Sequence, residues 1–216
     1  MIRKLTLTAL LLVAAPFISI AQAAEEAYVA GKHYALIDTP VRTRDSSKVE
    51  VVELFWYGCS HCFHFEPIVN AWKKTIPADV DFWRSPAMWN APMKVHAQAF
   101  FTAKALGVLE QVHEPMFTTL VVERKRLNNV DDIADLFADY GVDREKMKKT
   151  FNSFSVVSQV KQADARARSY KIQGTPEVVV NGKYRVTAGL AGGQAQMIDV
   201  MNFLIEKERA QLTAAK

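Results

Sequence analysis

Two periodicities alternate along this chain, and the points where one gives way to the other divide it into blocks. A polar arm over residues 24–48, with a turn signal at Thr39-Pro40, leads into Val49–Tyr57. That stretch is rich in β-branched and aromatic residues and almost continuously apolar from Val51, which predicts a strand buried on both faces, as in parallel sheets. Gly58 breaks it. Phe65, Ile68, Val69 and Trp72 then recur at helical spacing toward Pro77, and Val80-Asp81-Phe82-Trp83 alternates as a second strand. Strand, helix and strand within about 35 residues make a βαβ unit with a right-handed crossover.

From about Pro92 to Tyr170 only helical periodicity is present. Val95, Ala99, Thr102 and Leu106 form one stripe, stopped by Gly107. Asn129 is placed to cap a helix carrying Ile133, Leu136, Phe137 and Tyr140, with Gly141 at its end, and Asp143 to cap the next. Val156, Val160, Ala163, Ala167 and Tyr170 make a last stripe. Strands return at Glu177–Val180 and Lys183–Val186, joined by the Asn181-Gly182 pair that a type I′ turn favours. Met197, Ile198, Met201, Leu204 and Ile205 define a closing helix after Gly192-Gly193. The expected architecture is therefore α/β: a βαβ half and a ββα half flanking an all-helical insert.

The chain begins differently. Arg3 and Lys4 precede an apolar run, Leu5–Ile20, that ends at Ala21-Gln22-Ala23, the form of a secretory signal cleaved after Ala23. No later segment is apolar enough for long enough to cross a bilayer. Export would place the two cysteines where disulfides persist. Of 216 residues, 50% are hydrophobic, 23% charged and 10% aromatic, which excludes disorder, collagen, a coiled-coil rod and a polytopic membrane protein. Without Arg3 and Lys4 the balance is 25 basic to 23 acidic residues, too mild and too evenly spread to imply a nucleic-acid partner.

The two cysteines stand in Cys59-Ser60-His61-Cys62, where the buried strand gives way to the helix. Residues at i and i+3 of a first helical turn lie about 5 Å apart at Cα, within reach of a disulfide. Cys59 falls at the helix N-terminus, where unpaired N–H groups and the macrodipole favour a thiolate. A free cysteine of pKa ~8.5 is only about 3% thiolate at pH 7, so lowering the pKa mainly populates the reactive form. His61, inside the ring that a disulfide would close, can add positive charge or a hydrogen bond. A zinc site would need a second pair, and His33, His64, His96 and His113 have no ligand spacing. Cu(I) carriage and an inert structural disulfide remain open beside a redox-active pair, the favoured reading.

With these residues in view the chain resembles the thioredoxin superfamily, and within it the bacterial periplasmic DsbA-type thiol:disulfide oxidoreductases. The likeness rests on Glu53-Leu54-Phe55-Trp56-Tyr57-Gly58-Cys59-x-His61-Cys62, on the helical insert, and on Gly174-Thr175-Pro176 leading into Val179-Val180-Asn181-Gly182-Lys183-Tyr184. It implies a thioredoxin-like domain in two parts, residues 24–90 and 164–216, around a helical insert at 91–163, after a signal peptide at 1–23. It implies that Cys59 exchanges with substrate and that a buried Cys62 resolves the mixed disulfide. It places a cis-proline at Pro176 and gives the backbone of Thr175 to the bound peptide. Glu53 matches the family's buried acid beneath the disulfide; a carboxylate in an apolar strand has a raised pKa and can exchange a proton at Cys62. Glu66 matches a second acidic position, to which no catalytic part is given. Ser60 stands where the family usually has proline, a position that tunes thiolate stability and hence oxidising strength.

The activity so implied is donation of a disulfide to reduced cysteines of newly exported proteins, in support of their folding. The sulfurs carry the electrons, so no cofactor and no metal is implied. The expected protein is a periplasmic monomer, reoxidised by a DsbB-type, quinone-linked inner-membrane partner. A reductase or isomerase of the same fold is the runner-up, with a copper-carrying module and a redox-dead peptide-binding chaperone behind it.

Overall fold

The computed structural model describes residues 27–214, so the signal peptide expected at residues 1–23 lies outside the described residues. Its centre is a five-stranded sheet of order β1-β5-β4-β2-β3. The strands are β1 (Ala35–Leu36), β2 (Val49–Phe55), β3 (Val80–Pro86), β4 (Glu177–Val180) and β5 (Tyr184–Thr187). β2 runs parallel to β3 and antiparallel to β4, and all seven of its residues are buried, which is why its sequence lacks a polar alternation. Val51 faces a core shared with α1 (Ser60–Lys73) and α8 (Gln194–Ala214). Val52 and Leu54 face the opposite side, against Ala167, Tyr170 and Ile172.

The Asn181-Gly182 turn forms as its residues dictate, with φ of 48° and 63°. The Lys183 N–H closes it on the Val180 carbonyl at 3.0 Å, and pairing resumes one residue later, at Val180↔Tyr184. Gly182 is needed twice over, since a Cβ there would also lie 1.9 Å from the Val41 carbonyl oxygen.

Five helices and a π-helical turn make up the middle of the chain: α2 (Ala91–Leu106), α3 (Leu109–Phe117), the turn Thr118–Val122, α4 (Val130–Ala138), α5 (Arg144–Phe151) and α6 (Phe154–Ser169). The expected caps are present. Asn129 accepts from the N–H groups of Asp131 and Asp132, Asp143 from that of Lys146, and Gly107 ends α2 at φ 73°. Several expectations need correction. The stripe on α2 is too narrow: Ala99 and Thr102 are buried, Val95 and Leu106 only partly, while Met93, His96, Ala97, Phe100, Phe101 and Ala103 are buried as well. Packed on α3, α5, α6 and β3, this helix keeps only a narrow solvent stripe along Ala91, Lys94, Gln98 and Ala105. The first strand ends at Phe55 rather than Tyr57, α1 ends at Lys73, and Tyr140 lies beyond the end of α4 and is exposed. β1 and the short α7 (Ala188–Ala191) are additional. The boundary expected between residues 163 and 164 falls within α6. This helix packs Val156, Val160 and Ala163 into the insert core and, one turn on, Ala167 against the sheet.

Candidate active site

The C-terminal end of β2 delivers the chain to Trp56-Tyr57-Gly58, and the Cys59 N–H turns back onto the Trp56 carbonyl at 3.0 Å. A Cβ at Gly58 would sit 2.3 Å from the Trp56 ring, so this bend excludes any side chain. Trp56 is itself fixed by its Nε1–H bond to His96 Nδ1 (2.9 Å), and the other ring nitrogen of His96 meets the Leu127 carbonyl (2.9 Å). Cys59 is then the N-cap of α1, in extended conformation, and its Sγ accepts the Cys62 N–H at 3.4 Å. Both cysteines are free thiols in this structure.

The two sulfurs occupy different environments. Cys62 is fully buried and packs with Phe55 and Tyr57, whereas Cys59 is partly exposed. The Cys59 pKa is lowered to about 5, first by the hydrogen bond from the Cys62 thiol and further by the backbone N–H groups of Cys62 and His61, against the opposing effect of partial burial. Cys62 moves the other way, pushed up by burial first and then by its bond to, and the charge of, Cys59. At pH 7 a group of pKa 5 is about 99% ionised, so one sulfur is a ready nucleophile and leaving group and the other stays protonated.

Thr175 and Pro176 reach this site from across the fold. Their peptide bond is cis, and the Thr175 carbonyl accepts from the Cys59 thiol at 3.3 Å. Buried Glu177 holds the preceding loop: its Oε1 accepts the N–H groups of Gln173 (3.0 Å) and Gly174 (2.8 Å). His61 contributes through its backbone; its side chain is exposed, and its carbonyl accepts from Gln194 Nε2 at 2.6 Å.

Glu53 is fully buried, and its carboxyl is raised to about 7 because burial outweighs the Arg84 guanidinium beside it. Its hydrogen bond runs to Arg84 rather than to Cys62: Arg84 Nε–H donates to Oε2 at 2.8 Å, and Oε1 has no partner among the described residues. Residues 53 and 84 are register partners in β2 and β3. Arg84 also donates to Glu66 Oε2 (3.1 Å) and to Asn70 Oδ1 (2.8 Å). Burial raises Glu66, but His113 and Arg84 together bring it below its ordinary value. His113 joins Glu66 Oε1 (3.3 Å) to the Tyr57 hydroxyl (2.7 Å). The sequence singled out neither Arg84 nor His113 for the site; a basic residue on the strand expected beside the one that carries Glu53 is the available signal for the first, and nothing local marks the second. Among the described residues no three His, Cys, Asp or Glu side chains converge as a metal site, and no helix is long and apolar enough to cross a membrane.

A thioredoxin-like sheet carrying a helix-capping cysteine, a buried cysteine three residues on and a facing cis-proline defines a thiol:disulfide oxidoreductase. The chain belongs to the DSBA-like thioredoxin domain family, whose pattern matches residues 75–199. It is 44% identical over 208 residues to the thiol:disulfide interchange protein DsbA of Pseudomonas aeruginosa, covering 96% of this chain and 98% of that one. The crystal structure of Pseudomonas aeruginosa DsbA superposes with a TM-score of 0.83 at 44% identity, over 88% of this chain and 97% of that one. The oxidoreductase DsbA of Xylella fastidiosa gives 0.80 at 32% identity, over 85% and 98%.

Proposed function

We propose that this protein oxidises dithiols of exported proteins through a Cys59–Cys62 disulfide. A substrate thiolate attacks Cys59 Sγ, a substrate–Cys59 disulfide forms, and the Cys59–Cys62 bond breaks with its electron pair on Cys62, which takes up a proton. A second substrate thiolate then attacks the substrate sulfur, closing the substrate disulfide and releasing Cys59 as a thiolate. Two electrons pass from substrate to the Cys59–Cys62 pair. The observation that carries this reading is the contrast between a Cys59 thiol lowered to about 5 and a buried, raised Cys62 thiol, which makes Cys59 the better leaving group.

In this reading Thr175 and Pro176 present backbone to the peptide, and Glu53 takes up or returns the Cys62 proton. Support for the last comes from a carboxyl held near neutrality with one oxygen that has no partner among the described residues. His61 acts through its N–H group on the Cys59 thiolate. The mature protein is a periplasmic monomer of a thioredoxin-like unit and a helical insert. A DsbB-type, quinone-linked membrane protein reoxidises it. Alkylation and trapping test the assignment: Cys59→Ser abolishes oxidation of a reduced peptide, and Cys62→Ala accumulates mixed disulfides at Cys59. Faster alkylation of Cys62 than of Cys59 would reverse the roles.

A further inference from the structure

His113 lies on α3 of the insert, far in sequence from the cysteines, yet both of its ring nitrogens bond to groups that flank them. On one side is Tyr57, two residues before Cys59; on the other is Glu66, one helical turn after Cys62 and on the same face of α1. The Tyr57 hydroxyl is buried and its pKa lies well above the ordinary value, first because of that burial, so it remains a donor. Nδ1 thus meets the Tyr57 hydroxyl at 2.7 Å and Nε2 meets Glu66 Oε1 at 3.3 Å. Phe55, Phe100 and Phe117 all meet the ring edge-on and fix its plane. His113 also lines two cavities, of about 150 Å³ toward α2 and about 820 Å³ along α1. The other charged side chains lining them are Arg84, Lys73, Lys74, Lys104, Glu110 and Glu114.

We propose that His113 is a positioning residue for disulfide exchange, a strap from the helical insert that holds both flanks of the Cys59–Cys62 turn. The proposal rests on the reading of that pair given above. The Cys62 N–H reaches Cys59 Sγ at 3.4 Å, and this bond, which favours the thiolate, depends on the turn holding its place between its two flanks. Releasing the flanks raises the Cys59 pKa and makes the disulfide less oxidising.

The test uses His113→Phe, which keeps an aromatic ring and loses both bonds, and His113→Gln, which keeps one. Val112→Ala, a buried α3 change that leaves both bonds in place, controls for general destabilisation. Thiolate absorbance against pH and equilibrium with glutathione are measured alongside melting temperature. His113→Phe is expected to raise the Cys59 titration and shift the glutathione equilibrium about threefold to tenfold toward the protein disulfide. His113→Gln should fall between it and the wild type, and Val112→Ala should lower the melting temperature without moving the equilibrium. If His113→Phe does not fold, Tyr57→Phe and Glu66→Ala, which remove one bond each, must give the intermediate shift expected of His113→Gln. Titrations unmoved from wild type in the folded variants overturn the strap. A wild-type Cys59 thiol titrating near 9 would instead overturn the reading of the pair itself.

Discussion

Acidifying the reduced protein should remove stability that the oxidised protein never had. The Cys59 thiol titrates near 5 in the fold and at about 9.0 when unperturbed, so its stabilising contribution is complete only above pH 9 and falls away as pH drops toward the folded value. At pH 7 two of those four units remain, worth about 2.7 kcal/mol at 1.36 kcal/mol per unit, and at pH 4 essentially none. Partial exposure of Cys59 screens these interactions, which reduces the loss between pH 7 and pH 4 to roughly 1.5–2.5 kcal/mol. Cys62 stays protonated throughout, so of the two sulfurs only Cys59 contributes to the pH-dependent difference between the forms. Closing a four-residue loop stabilises the oxidised form by about 2 kcal/mol on the chain-entropy model, nearly offsetting the thiolate at pH 7. Paired calorimetric melts should therefore show the two forms within a few degrees at pH 7. At pH 4 the difference should have moved about 3–10 °C in favour of the oxidised form. A difference that is the same at both pH values would refute a stabilised thiolate at Cys59.

Glu53→Gln should slow exchange about tenfold or more at pH 7 and flatten its pH dependence between 6 and 8, as stopped-flow oxidation of a reduced peptide will show. His96 is held below its ordinary pKa by burial first, so it contributes stability above the unfolded value that is lost as pH falls below about 6.5. His96→Gln, which cannot become charged, should reduce the fall in melting temperature between pH 7 and pH 5 by comparison with wild type. Gly182→Ala should destabilise by at least about 1–3 kcal/mol in urea unfolding, because of its φ of 63° and the 1.9 Å approach to Val41.

What could be read from the sequence was local. The largely apolar run of β2, the Asn181-Gly182 turn and the caps at Asn129 and Asp143 depend on residues a few positions apart, and all are present, with β2 two residues shorter than expected. The Cys59–Cys62 pair was legible for the same reason. α3 was not, since Pro115 lies inside it and a π-helical turn follows, disturbing the period that would announce a helix. Edge strand β1 spans two residues and carries no pattern. Arg84 owes its place to the β2–β3 register, and His113 meets Glu66 across 47 positions of sequence. Such partners are chosen by the packing of whole elements, which no window of sequence contains.

Cys59 is at once the exposed sulfur of the pair and the cap of α1. Each redox step therefore changes how the first turn of that helix is finished. A thiolate is a strong acceptor for the Cys62 N–H, and a sulfur engaged in a disulfide is a weak one. The amide hydrogen of Cys62 should accordingly exchange with solvent deuterium more slowly in the reduced protein than in a trapped mixed disulfide. Release of product would then coincide with tightening of the helix end, so that part of the free energy of the leaving step is recovered as backbone order next to the departing chain.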